Sequence, residues 1–295
     1  MGTALAVINR ASRSLLSGVV EERNKLATVL SDTTGTSVVV TYGLKGFVDG
    51  TVIEIDSELM YVWVSDSGTK TLTVERGYGG STPATHAVGA TITLNPKFPK
   101  QQLLDALNSE IDDLSAPTNG LFRIVVASLT YNGSSRQINL SSATSVLGLV
   151  DVSYKYLATD YIPIRNTVLS RDMATADFAS GFALQINDGI PAGTVRVTYR
   201  APFVRAVTTA SDLQTVCFVP ETMEDILELG LQIRMIAPRE IKRSFIESQG
   251  DTRRSEEVPA GSMINSTAGL MRLKRDRMAG ESARLNKLYP ILIRR

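Results

Sequence analysis

Between Thr36 and Leu94 the apolar residues keep a period that only a sheet can use. Val38-Val39-Val40, Thr51 to Ile55, Leu59 to Val64, Thr71 to Val74 and Ala90 to Leu94 are short runs rich in β-branched or aromatic residues. Turn chemistry separates them at Tyr42-Gly43-Leu44-Lys45-Gly46, Asp66-Ser67-Gly68 and Gly77-Tyr78-Gly79-Gly80-Ser81. Parallel pairing would need a helix between successive strands, and there is no room for one. The segment therefore predicts a small antiparallel barrel or sandwich.

Helical periodicity stands on both sides of it. Ile8, Ala11, Leu15, Val19, Leu26 and Leu30 recur three or four apart and predict an N-terminal helix reaching toward the polar break at Ser31 to Gly35. Leu103, Leu104, Leu107, Ile111 and Leu114 predict a middle helix over Gln101 to Leu114, followed by a turn at Ala116-Pro117-Thr118-Asn119-Gly120. A second β-rich region follows, with candidate strands at Phe122 to Leu129, Arg136 to Leu140, Val150 to Leu157, Ala183 to Ile186 and Thr194 to Tyr199. From Pro220 the pattern is helical again. Ala237-Pro238 predicts a kink or stop, and a last helix is predicted over Met263 to Leu288. The expected fold is α+β: a helical bundle from the N-terminal, middle and C-terminal helices, with two antiparallel β domains inserted. The expected segments are an N-terminal helix (1–35), a small β domain (36–96), a helix and linker (97–119), a second β domain (120–219) and a helical C-terminal region (220–295).

Composition narrows the chemistry. One histidine, His86, and one cysteine, Cys217, exclude an internal disulfide and the usual multi-histidine metal sites, so no metal or cofactor is expected. The formal net charge is +1, which argues against a chain built wholly to coat nucleic acid. No apolar run reaches the ~18 residues of a membrane span. His86 has no nucleophile motif beside it and reads as a histidine that hydrogen-bonds the neighbouring turn. Gly77, Gly79 and Gly80 lack the lysine and the following helix of a phosphate loop and read as a turn. Asp56, Glu58 and Glu75 suit a solvated strand face, a Mg²⁺ site or the carboxylates of a polysaccharide or cell-wall hydrolase, and the solvated face is the reading preferred. Cys217 reads as a core thiol.

The one electrostatic anomaly is C-terminal. Arg253, Arg254, Arg272, Lys274, Arg275, Arg277, Arg284, Lys287, Arg294 and Arg295 face only four acids, leaving a local +6. Such a segment suits a solvated helix face, an acidic protein partner or non-specific contact with genomic DNA.

Residues 53–93 read Ile-Glu-Ile-Asp-Ser-Glu58-Leu-Met60-Tyr-Val62, a Ser-Gly turn, Leu72-Thr-Val74-Glu-Arg76-Gly77, then Ala84-Thr-His86-Ala-Val-Gly89-Ala90. This resembles a β module of tailed-bacteriophage virion proteins, with Glu58, Arg76, Gly77, His86 and Gly89 as its structural motif. Gly79-Gly80-Ser81 stands where that family usually shows Asn-Gly-Thr. The run from Pro220 to Arg234, the Arg-rich stretch after it and the last helix ending Leu288-Tyr289-Pro290 are similar to head–tail adaptor (neck) proteins. The resemblance implies a non-enzymatic virion protein, made in the host cytoplasm, at the head–tail junction. It implies a homo-oligomeric, twelve-membered ring bound to the portal protein and to tail-side neck or tail proteins, continuing the DNA channel. A tail-tip, baseplate or fibre-attachment protein would suit the same module.

Overall fold

Two apolar cores organise the chain, each beneath its own strands. The computed structural model describes residues 2–17, 19–141, 143–248 and 262–291. By contact it divides into one unit of Met1–Glu110 with Arg205–Lys274, and a second of Ile111–Val204 with Arg275–Arg295.

The first unit opens with helix α1 (Ala4–Leu15), whose N-cap Thr3 accepts a hydrogen bond from the Ala6 amide. Strands β1 (Arg23–Lys25), β2 (Ser37–Val39), β3 (Val52–Ile55), β4 (Glu58–Asp66), β5 (Thr71–Glu75) and β6 (Thr91–Leu94) follow. They form an antiparallel sheet in the order β1-β6-β3-β4-β5-β2. Its two edges meet. Leu26 bridges Val40, the Ala27 amide donates to the Val39 carbonyl and the Thr41 amide to the Lys25 carbonyl, so the sheet closes into a barrel without free edges. Ile53, Ile55, Met60, Val62, Leu72, Val74 and Ile92 alternate inward to fill it.

Helix α2 (Lys100–Leu114) leads into the second unit. There β7 (Arg123–Tyr131), β8 (Gln137–Asn139), β9 (Gly148–Lys155), β10 (Tyr161–Pro163), β11 (Thr167–Ser170), β12 (Ala183–Ile186) and β13 (Gly193–Ala201) form two sheets, ordered β10-β9-β13-β7 and β11-β12-β8. Leu129, Val152, Val195 and Val197 from the first sheet and Ile138, Leu184 and Ile186 from the second share one core, which makes a sandwich. Helices α3 (Glu224–Ser248) and α4 (Ser262–Leu288) come last.

The expected bundle with inserted β domains is not what forms. Among the described residues thirteen strands stand against four α-helices, and α3 and α4 are a C-terminal helix pair rather than part of one bundle. The reason lies in residues 16–35. Leu26 and Leu30 are spaced as if continuing a helix from Ile8, yet both sit in the barrel core, Leu26 fully buried, and Leu30 bridges His86. Closing the barrel outweighs the helical spacing, so α1 ends at Leu15 and too little helix remains at the N-terminus for a bundle. The backbone of α3 also runs on through Pro238, at the cost of one helical hydrogen bond.

Candidate functional site

The motif residues meet at one end of the barrel. A two-residue turn, Asp56-Ser57, joins β3 to β4, with Asp56 in the left-handed region at φ 55°. That turn makes Glu58 the first residue of β4, with its side chain 1% exposed. Arg76 follows the end of β5 and reaches Glu58 with two parallel hydrogen bonds, Nε to Oε1 at 2.7 Å and Nη2 to Oε2 at 2.8 Å. The remaining guanidinium donors go to the carbonyls of Asp32, Gly35 and Ala84. The carboxylate in turn accepts from the Gly77 amide at 3.2 Å, the Ala84 amide at 2.9 Å and His86 Nε2 at 2.9 Å. His86 Nδ1 lies 2.8 Å from Asp56 Oδ2.

Each glycine of the motif has a backbone reason. Gly77 is at φ 68°, and a Cβ there would stand 3.1 Å from Pro83 and from the Ser81 carbonyl. Gly89 is at φ 83°, and its amide donates to the Leu26 carbonyl at 2.8 Å, which ties β1 to the loop carrying His86.

The electrostatics follow from this geometry. Burial alone would raise the Glu58 pKa, but the bonds from Arg76, His86 and Ala84 outweigh it and hold the carboxyl down at about 2. Burial would lower His86, yet its bonds to Glu58 and Asp56 win and raise it. With His86 protonated, two cations face two carboxylates. Glu58 is therefore not on a solvated strand face, as one sequence reading has it. Glu75, at the other end of the proposed carboxylate pair, is exposed on β5 opposite Tyr61, on the outside of the barrel. Both Glu58 carboxylate oxygens and both His86 ring nitrogens have hydrogen-bond partners within the network. A cleft of about 320 Å³ adjoins it, lined by Asp56, Ser57, Thr85, His86, Gln101 and Thr208. Among the described residues no group of three or more His, Cys, Asp or Glu side chains is arranged to hold a metal.

Of the basic residues, Arg253, Arg254, Arg294 and Arg295 lie outside the described residues. The other six are on α4 but are not alike. Lys274 bonds Glu110, Arg284 bonds Glu281 at 2.8 Å, and Arg277 is half-buried. Arg272, Arg275 and Lys287 are exposed. Cys217 is buried, and burial pushes its thiol up to about 11, as a core cysteine requires.

Sequence reasoning passes over two buried acids. Glu110 is 2% exposed and held by Arg234 and Lys274, so α2, α3 and α4 converge on it. Its signal is an acid inside the apolar stripe of Leu103, Leu107, Ile111 and Leu114. Glu54, between Ile53 and Ile55 in β3, is 6% exposed, and burial lifts its pKa to about 7 against the opposing Lys100 amide bond. It faces a second cleft of about 570 Å³, which also holds Arg13, Arg23, Glu21 and Lys100. No helix among the described residues is long and apolar enough to cross a membrane. No protein-family model and no curated protein matches the chain.

Proposed function

We propose that this chain is a structural protein of a tailed-bacteriophage virion: a head–tail adaptor that docks beneath the portal as a ring and continues the DNA channel. The observation that carries this reading is the convergence of Glu58, Arg76, Gly77 and His86 on one buried network. A resemblance made of scattered surface residues would say little. One made of the residues that lock a module's fold speaks for the module, and so for the proteins that use it. The same convergence weighs against the hydrolase reading, which needs a carboxylic acid free to give up a proton. Here Glu58 is ionised, buried and fully bonded. Exposed Arg272, Arg275 and Lys287 suit a partner that carries acidic groups.

The test is to label intact tailed particles with an antibody against this chain and image them by electron microscopy. Label at the head–tail junction is the expected result. Label at the distal end would assign the chain to the tail tip or baseplate. Particles that carry no label would overturn the virion reading.

A further inference from the structure

Several large apolar side chains of the barrel are exposed, and three neighbouring aromatic rings gather in one place. Tyr61, Trp63 and Tyr78 gather on its outer surface, Tyr61 and Trp63 with ring centroids 4.8 Å apart and Tyr61 and Tyr78 5.4 Å apart. The sheet is built to present them. The β4–β5 register shifts between Val62 and Val64, a bulge that breaks the inward–outward alternation. As a result Trp63 and Val64 both face outward, 56% and 52% exposed, beside Tyr78 at 41%. This is the only tryptophan in the sequence. Leaving it in water on a bulge costs the barrel apolar burial and returns nothing to the isolated fold.

Charge says what kind of group should cover it. Glu75 stands directly across from Tyr61, and Asp49 is anchored beside the strand by the Ser65 amide at 2.7 Å. Both are exposed, and neither has a cationic partner among the described residues. Residues 37–94 hold six acids against three Lys and Arg. Aromatic faces flanked by two exposed carboxylates favour a cation carried on an apolar stem, and the protein already uses that contact: Arg196 lies over Tyr161 and Arg200 over Phe122, each at 4.0 Å. A sugar is a poorer fit, because Tyr61 and Trp63 meet at 69° and offer no flat platform.

The chain carries the complementary patch. On α4, Arg272 and Arg275 are exposed and have no ion-pair partner among the described residues, and Met271 beside them is 43% exposed. Met271 and Arg275, four apart, share a helix face. We infer that the Met271–Arg275 patch of one copy docks on the Tyr61–Trp63–Tyr78 face of a second copy, with Arg275 and Arg272 against Glu75 and Asp49. Two different patches make a heterologous contact, which repeats from copy to copy and closes into a ring when the rotation permits. The inference does not rest on the virion reading. A particle without label would leave it standing, and a chain that never self-associates would leave the neck assignment open.

The experiment uses the full chain. Sedimentation velocity over a dilution series is run beside Trp63 emission, which reports this face alone because no other tryptophan is present. The expected result is concentration-dependent growth in size with a blue shift of the emission. Trp63→Ala and Arg275→Glu should each weaken association by about tenfold or more. Both positions are exposed, so far-UV circular dichroism should be unchanged. Adding Glu75→Arg to Arg275→Glu should restore association by exchanging the charges. A chain that stays monomeric throughout the series, or association that survives both single substitutions, would overturn the proposal.

Discussion

Replacing Glu58 by Gln tests whether the buried network holds the barrel. The substitution keeps the shape and removes the charge, leaving the Arg76 guanidinium, 5% exposed, without a counterion. It also turns an amide NH₂ toward donors where an acceptor stood. Breaking a buried ion pair by removing one partner costs about 3–5 kcal/mol. The pKa gives an independent figure. Glu58 falls from the usual 4.5 to about 2, and at about 1.4 kcal/mol per unit that is about 3 kcal/mol of stability when ionised. Because the folded pKa is depressed, this stability is complete above pH 4.5 and disappears as the pH falls toward 2. Urea unfolding followed by Trp63 emission and far-UV circular dichroism should show the variant about 3 kcal/mol weaker at pH 7. The two proteins should converge as the pH drops from 4.5 toward 2. A loss at pH 7 below about 1 kcal/mol, or a gap independent of pH, would refute the reasoning.

Other perturbations follow from the same geometry. His86 has a raised pKa, so the stability it gives is complete below about 6.5 and is lost as the pH rises through its folded value. Unfolding of His86→Gln, measured between pH 6 and 9, should lack that decline. Glu54 behaves oppositely to Glu58. Its pKa near 7 means that ionising it on folding costs stability, increasingly from pH 4.5 to 7. Glu54→Gln should therefore stabilise the barrel at pH 8, by up to about 3 kcal/mol, and leave it unchanged at pH 4, as a pair of thermal melts would show. Gly230→Ala should invert the usual gain of about 1 kcal/mol for removing a helical glycine. The added Cβ would collide with the Glu110 carboxylate, which Arg234 and Lys274 hold in place, so thermal melts should show a loss.

The strands were legible because their spacing and turns arise from short stretches of chain. All five candidate strands of the small β domain lie on or beside observed ones, and the Ala116–Gly120 turn contains a glycine at φ 66°. What the sequence hid is long-range. Nothing local distinguishes Leu26 and Leu30 from helix positions. They leave the helical pattern because Val40 and His86 bring backbone partners to them across the barrel. β10 and β11 were missed for a similar reason: Tyr161–Pro163 and Thr167–Ser170 are short, and their pairing with β9 and β12 defines them more than their composition does.

The site divides along the same line. The motif residues converge in the structure, but their relation was not legible in the sequence: Glu58 and His86 are 28 apart, and Asp56, which bonds His86, is a turn residue with positive φ. A carboxylate that looks solvated by strand alternation is instead the centre of the network, because the first position of β4 opens onto the barrel end where Arg76 arrives. In that arrangement Glu58, Arg76 and His86 bond one another and the backbone around them. Through these bonds the assembly ties together the loops that carry Gly35, Gly77 and Ala84. Outside this network, exposed groups stand on the outer face at Trp63 and Glu75 and on α4 at Arg272 and Arg275. Both patches are exposed, as the docking of one copy on another inferred above requires.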